Sequence, residues 1–425
     1  MLVRPPRWIS TKVRVYPTES VTSRNPLEVD PSAGGLTRAG IDEMWKSVVK
    51  LYETGLHPAI ALCIRRRGQI VCDRAIGHLR GNAPSDPSDV PRVPIRYDSL
   101  FNIYSAAKSV TSMLVHLADE RGQLHLDDPV AEYVPEFAAH GKGAITIRHI
   151  LTHRAGIPAV PGQKVTLDMI AEPDAIMRMI CASKPLSVAG RQLSYHALTG
   201  GYMLAEVLKR VTGTDLRQRL REDVREPLGL QHFDYGVARN DVERVAENAF
   251  TGAPPIPPYS WMLSRSLGVD VHEAARLSNE PRFLTALIPS GNLVATAEEG
   301  SRFFELLLRG GTLDGTRVFD RRTVRRAVAE QSYLEIDSVM GAPVRYGMGF
   351  MLGANWFSLY GSNTPHAFGH IGFTAVALYA DPDRDISVCI MTSGKPFITP
   401  GQWTWLNVAR TIARVCPRDT TSPAF

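Results

Sequence analysis

The pattern of hydrophobic and polar positions is most regular between Leu100 and Leu126, where a short apolar run leads into a helical repeat. Counted from Ala106, apolar residues recur at positions i, i+4, i+7, i+8 and i+11, which places them on one stripe of a helix. Gly122 follows the stripe and indicates where the helix stops. We therefore predict a helix that begins close to Ser105 and buries one face.

Strand-like patterns lie toward both ends of the chain, and helical patterns lie between them. Residues 58–64 and 69–76 predict an antiparallel hairpin, and the last third predicts strands over 345–352, 375–380 and 386–392. The economical arrangement is an α+β fold in which both ends of the chain build one central antiparallel sheet flanked by helices. A mostly helical lobe is inserted, and we expect the active site between it and the sheet.

This arrangement predicts where the lobes begin and end. Residues 1–35, which are polar and rich in Pro, Ser and Gly, form an N-terminal extension, and 36–104 form the first part of the sheet lobe. Residues 105–285 form the mostly helical lobe, which carries the Ser105 helix and the loop of Tyr195, and 286–425 complete the sheet lobe.

Composition indicates an ordinary globular protein: 425 residues, 44% hydrophobic, 21% charged and a net charge of +5. The arginines are scattered, so we expect no nucleic-acid partner. No apolar run approaches the ~20 residues of a membrane span, and the basic N-terminus lacks the apolar stretch of a secretory signal. These features predict a cytoplasmic protein. We expect a monomer or a homodimer that acts on a small-molecule ester or acyl substrate. Its five widely spaced cysteines indicate neither a disulfide framework nor a zinc site.

The motif S-x-x-K occurs twice, at Ser47–Lys50 and at Ser105–Lys108. Residues three apart share one face of a helix, so each copy places a hydroxyl beside an amine. Serine becomes a nucleophile when a base takes its proton, and lysine is such a base only where its pKa is lowered. The spacing alone is weak evidence; the context favours the second copy, at the start of the central helix.

Two histidines, His149 and His153, lie four residues apart in what reads as a short helix. This spacing could hold a metal ion, but no third ligand is evident, so we expect no metal and no cofactor. The Pro-rich stretch 251–285 offers aromatic side chains that could line a pocket, and we include Trp261 there as a predicted substrate-binding residue.

Several blocks resemble the serine hydrolases related to class C β-lactamases and penicillin-binding proteins, and most of all the family VIII carboxylesterases. The resemblance covers roughly residues 36–415 and rests on blocks in matching order: Ser105–Lys108, Leu124–Val130, Ile145–Gly156, Tyr195–Thr199, Arg345–Phe350 and Gly369–Gly372. No G-x-S-x-G pentapeptide, which the alternative α/β-hydrolase fold requires, occurs in the chain.

The resemblance implies a β-lactamase/transpeptidase-like fold and a role for each matching residue. It implies that Ser105 is the nucleophile, Lys108 its general base and Tyr195 the residue that passes the proton to the leaving group. His370 and Gly372 match the third motif, which lies on an edge strand and binds substrate. The backbone N–H groups of Ser105 and Phe373 would form the oxyanion hole.

Two departures from the β-lactamase pattern favour a neutral substrate. Ala197 stands where β-lactamases have an asparagine that holds the antibiotic side chain, and His370 stands where they have a lysine near the lactam carboxylate. The resemblance therefore implies a carboxylesterase that cleaves small acyl esters through an acyl-serine. The alternatives are an acyltransferase using the same acyl-enzyme, a β-lactamase or D-amino-acid peptidase, and a catalytically silent binding protein.

Overall fold

The structure is a computed structural model that describes residues 11–159, 166–257, 260–261, 264, 267–397 and 400–419. Within those ranges its strands are β1 (Thr22–Arg24), β2 (Ala59–Arg66), β3 (Gln69–Arg80), β4 (Val93–Pro94), β5 (Phe101–Asn102), β6 (Asp234–Tyr235), β7 (Leu293–Ala295), β8 (Thr312–Leu313), β9 (Thr316–Arg317), β10 (Ser332–Asp337), β11 (Ala342–Tyr346), β12 (Met351–Leu352), β13 (Phe368–Gly372), β14 (Val376–Asp381) and β15 (Ile386–Thr392).

The α-helices of the same ranges lie mainly between the two groups of long strands. They are α1 (Thr18–Val21), α2 (Arg38–Glu53), α3 (Ala107–Glu120), α4 (Val130–Tyr133), α5 (Ile147–Leu151), α6 (Leu167–Ile170), α7 (Pro173–Ala182), α8 (Thr199–Thr212), α9 (Leu216–Leu220), α10 (Val271–Leu277), α11 (Pro281–Thr285), α12 (Ala297–Leu308), α13 (Arg321–Ala327) and α14 (Pro400–Val415). No helix in the described part of the chain is long and apolar enough to cross a membrane.

Both ends of the chain contribute to one antiparallel sheet, in the order β1-β3-β2-β15-β14-β13-β12-β11-β10. The junction is the pairing of β2 with β15, in which Cys63 lies opposite Cys389. Because alternate side chains of a strand point to opposite faces, Ile60, Leu62 and Ile64 pack with the terminal helices α2 and α14, while the alternate positions join the other core. The predicted α+β class is confirmed.

Helix α3 runs through the largest hydrophobic core and is buried on every side from Ala107 to Ala118. The sequence predicts one buried stripe, and the structure differs because polar residues of the other face are also enclosed. Thr111 shows how: its hydroxyl donates to the Pro289 carbonyl and shares a hydrogen bond with the Tyr235 hydroxyl. Buried polar groups need such partners, and these bonds fix α3 in the centre of the molecule.

One predicted strand is two strands in the structure. Residues 345–352 divide into the end of β11 and the short β12, with Gly347–Phe350 between them. Gly349 has φ +93°, and a Cβ there would collide with Ser112 of α3. The break therefore lets the sheet pass close to the central helix.

Candidate active site

The residue before the expected nucleophile has an unusual backbone conformation. Tyr104 has φ +49°, a left-handed value that side chains other than glycine rarely adopt. Its N–H donates to Asn102 Oδ1 at 3.0 Å, and its hydroxyl is 2.7 Å from Ser278 Oγ. These bonds hold a short 3₁₀ turn, Tyr104–Ala106, immediately ahead of α3. Ser105, half-buried, therefore lies at a fixed position on that turn.

The lysine one turn along α3 contacts the serine directly. Lys108 Nζ lies 3.0 Å from Ser105 Oγ and donates hydrogen bonds to the carbonyl oxygens of Ala197, at 2.8 Å, and Ser290, at 3.3 Å. The side chain is 7% exposed, and burial lowers the pKa of Lys108 to about 7. A neutral amine has two N–H donors for the two carbonyls and one lone pair, which is free to accept the Ser105 proton.

The tyrosine of the second motif lies beside this pair, in the turn that precedes α8. Lys108 Nζ is 4.9 Å from the centroid of the Tyr195 ring. Burial raises the pKa of Tyr195 above its ordinary value, and the neighbouring Ser105 side chain opposes that shift. The phenol is consequently protonated at neutral pH and able to donate a proton. The structure thus brings together Ser105, Lys108 and Tyr195.

The histidine of the third motif is 2% exposed on β13, with its ring centroid 6.2 Å from that of Tyr195. Burial, together with the nearby Lys108, lowers the pKa of His370 to about 3, so its imidazole is neutral at physiological pH. Its Nδ1 is 2.8 Å from the Ile371 carbonyl oxygen, which makes Nδ1 the protonated nitrogen. No fixed positive charge therefore stands at this position.

The expectation of an edge strand for this motif is wrong for β13 as a whole. Phe368 and Gly369 pair with β12, and all five residues of β13 pair with β14 on the other side. From His370 onward the β12 side is unpaired among the described residues, because β12 is only two residues long. The open part of the strand is therefore the part that faces the site.

Gly372 acts through close packing. A Cβ at this position would collide with the carbonyl oxygen of Ile103, two residues before Ser105, so glycine lets β13 approach the nucleophile turn. Phe373 follows immediately, and its ring centroid is 5.2 Å from that of Tyr104. The oxyanion role of the Ser105 and Phe373 N–H groups stays a prediction, which this close approach supports.

The predicted substrate-binding tryptophan lies at the surface. Trp261 is 68% exposed, so most of its side chain faces solvent. Its neighbours 258–259, 262–263 and 265–266 lie outside the described residues. The substrate-binding role of Trp261 stays a prediction that the geometry does not support.

The other S-x-x-K copy forms no such pair. Ser47 is buried in α2 and its hydroxyl donates to the Met44 carbonyl at 2.6 Å, whereas Lys50 is exposed. The Ser47 hydroxyl is bonded within its own helix, and the Lys50 side chain lies in solvent, not in an enclosed site. The structure therefore distinguishes the two copies of the motif, which their identical spacing could not do.

Two residues near the site were missed as functional candidates. Asp337 accepts the Tyr195 N–H, and nothing in the sequence connects residues so far apart. His153 stands within one of the matching blocks, but its spacing from His149 indicates only a possible metal ligand. In the described residues no group of three or more His, Cys, Asp or Glu could hold a metal ion.

Comparison with known proteins gives a consistent result. The sequence model of the family described as "Beta-lactamase" matches residues 47–411. "Esterase/beta-lactamase LipL" of Mycobacterium tuberculosis is 28% identical over 315 residues, 70% of each chain. Among solved structures, a penicillin-binding protein homologue from Caulobacter crescentus has a TM-score of 0.76 at 26% identity, covering 90% of this chain and 99% of that one. A family VIII carboxylesterase has 0.74 at 25%, covering 88% and 98%. These similarities confirm the expected β-lactamase/transpeptidase-like fold.

Proposed function

Since the chain belongs to the beta-lactamase family and is a serine hydrolase of that family, we propose that it is a carboxylesterase that cleaves small acyl esters through an acyl-Ser105 intermediate. The observation that carries the proposal is the 3.0 Å contact between Ser105 Oγ and a buried lysine amine whose pKa is lowered to about 7. This pairing supplies a nucleophile with a base that is partly neutral at working pH.

Acylation proceeds by one attack and three proton transfers. Lys108 takes the hydroxyl proton as Ser105 Oγ bonds to the ester carbonyl carbon. The resulting oxyanion accepts hydrogen bonds from the backbone N–H groups of Ser105 and Phe373. The bond from the acyl carbon to the alcohol oxygen then breaks. Tyr195 gives its phenolic proton to the departing alkoxide and regains one from the Lys108 ammonium, so the base is neutral again.

Deacylation repeats these steps with water as the nucleophile. Water loses a proton to the same groups as it attacks the acyl carbon, and Ser105 Oγ departs and recovers a proton. The products are a carboxylic acid and the free enzyme.

The groups that surround these three residues support a neutral ester as the substrate. An anionic lactam is best bound where a cation meets its carboxylate, and His370 is neutral because it is buried beside Lys108. Ala197 contributes its backbone carbonyl to Lys108 and has no side-chain amide for an acylamido group. A neutral ester needs neither group. The similarity to a family VIII carboxylesterase supports the same choice, whereas the name of LipL gives both an esterase and a β-lactamase.

The test compares two substrate classes on one enzyme sample. We expect hydrolysis of p-nitrophenyl acetate or butyrate, with a burst of p-nitrophenol equal to the enzyme concentration where deacylation is slow, and far slower opening of nitrocefin. A burst with nitrocefin turnover as fast as that of the ester would instead favour a β-lactamase. Product transfer to an added alcohol in preference to water would favour an acyltransferase.

The pH dependence tests the identity of the base. Because the lowered pKa of Lys108 is about 7, protonation below that pH removes the lone pair that accepts the Ser105 proton. We expect kcat/KM for a p-nitrophenyl ester to fall tenfold per unit below about pH 7 and to level off above it. The measurement is a kcat/KM profile from pH 5 to 9.

A second lysine provides the control for this profile. Burial also lowers the pKa of Lys395 to about 7, but its Nζ contacts the Tyr104 ring and the Thr392 carbonyl, not Ser105. Lys395→Met should leave the acid limb where it is. If the acid limb disappears in Lys395→Met, the group that titrates is Lys395, which would contradict the role of Lys108.

A further inference from the structure

We infer that His153 is a positioning residue: it fixes the turn that carries Tyr195, so that the phenol meets the departing alcohol. The inference rests on the proposed function, since it assigns the way in which that site holds its proton donor. His153 lies just beyond α5 and is 6% exposed.

Three consecutive backbone N–H groups of the Tyr195 turn have long-range acceptors. Ser194 donates to the His153 carbonyl at 2.9 Å, and His196 donates to His153 Nδ1 at 3.2 Å. Between them, Tyr195 donates to Asp337 Oδ1 at 3.1 Å. His153 therefore holds the turn on both sides of the tyrosine, once through its backbone and once through its side chain.

The imidazole also packs against the tyrosine ring itself. The centroid of the His153 ring is 4.8 Å from that of Tyr195 and 5.0 Å from that of Tyr346. The Tyr195 ring is therefore in contact with a buried ring on one side and with the Lys108 amine. Losing the imidazole would free both the ring and the His196 N–H.

The acceptor role requires a neutral imidazole with its proton on Nε2. Burial, with the nearby His196, Lys108 and His370, lowers the pKa of His153 well below its ordinary value. His153 also has φ +57°, which asparagine tolerates better than most residues. An asparagine could therefore keep both the backbone conformation and a side-chain acceptor, which makes it the conservative variant.

The experiment compares two esters of one acid that differ only in the leaving group. An alkoxide must be protonated as it departs, whereas p-nitrophenolate leaves as a stable anion. The readout is the ratio of kcat/KM for the ethyl ester to kcat/KM for the p-nitrophenyl ester. This ratio reports the acylation step. Misfolded enzyme does not change it, because the active fraction of the sample is the same for both substrates and cancels.

We expect Tyr195→Phe and His153→Leu to lower this ratio, the second by about ten- to a hundredfold, within the range of a positioned acid. His153→Asn should restore most of it. His149→Leu is the matched control, because His149 Nδ1 accepts the Thr146 N–H at 3.1 Å without touching the Tyr195 turn, and it should leave the ratio unchanged.

If His153→Leu keeps the wild-type ratio while Tyr195→Phe loses it, the inference is wrong and the proposed function stands. This includes the case in which His153→Leu lowers kcat/KM equally for both esters, because a merely structural role would leave the ratio unchanged. A wild-type enzyme that hydrolyses neither ester would instead contradict the proposed function.

Discussion

Ser105→Ala is expected to abolish measurable turnover of p-nitrophenyl acetate, a loss of about 10⁶-fold in kcat for removal of a serine nucleophile. The reason is that the Ser105 hydroxyl lies 3.0 Å from a lysine amine whose pKa is lowered, and no other hydroxyl among the described residues has such a neighbour. The measurement is steady-state release of p-nitrophenol by the purified variant, with its thermal midpoint recorded to show that it is folded.

The second S-x-x-K copy offers a matched control for this variant. Ser47 is buried and bonded to the Met44 carbonyl within its own helix, so Ser47→Ala should leave kcat unchanged and affect stability only slightly. If Ser105→Ala keeps wild-type turnover, the nucleophile is another residue. A large loss of kcat in Ser47→Ala would reverse the choice between the two copies.

Lys108→Met is expected to lower kcat/KM by roughly 10²- to 10⁴-fold, the contribution of a positioned general base. Methionine keeps the length of the apolar stem but has no nitrogen to accept the Ser105 proton. The loss should be largest at pH 8, where wild-type Lys108 is mostly neutral, and smaller at pH 5, where it is already protonated. The check is the kcat/KM of both enzymes at these two values.

The comparison with Lys395→Met separates base catalysis from a general effect of removing a buried amine. Both lysines are buried and have a pKa lowered to about 7, but only Lys108 reaches Ser105. We expect Lys395→Met to cost much less activity than Lys108→Met. A loss in Lys108→Met that is the same at pH 5 and pH 8 would show that the amine does not act as the base.

The sequence is informative where function depends on local spacing. Ser105 and Lys108 are adjacent on a helix, so their contact can be predicted from a spacing of three and a start signal. The position of Tyr195 ahead of α8 follows from the same kind of pattern. The hairpin of β2 and β3, and its place in one sheet with strands from the end of the chain, follow from apolar strands at both ends; the pairing of β2 with β15 does not.

Sequence reasoning fails where the contact is long-range or the environment decides. The pKa of Lys108 is lowered because the side chain is buried, and the carbonyls of Ala197 and Ser290 that surround its amine come from distant segments. The polar residues of α3 suggest an exposed face, yet they are enclosed because the helix is surrounded. The bonds of His153 and Asp337 to the Tyr195 turn need a folded molecule to be seen.

The most direct test of the central claim is peptide mass spectrometry after reaction with a fluorophosphonate probe. Fluorophosphonates react covalently with activated serines, so the method identifies the class and the residue together. The account predicts one adduct per chain, on the peptide that contains Ser105, and no adduct in Ser105→Ala. An adduct on another serine, or an enzyme that hydrolyses esters and remains unlabelled, would contradict it.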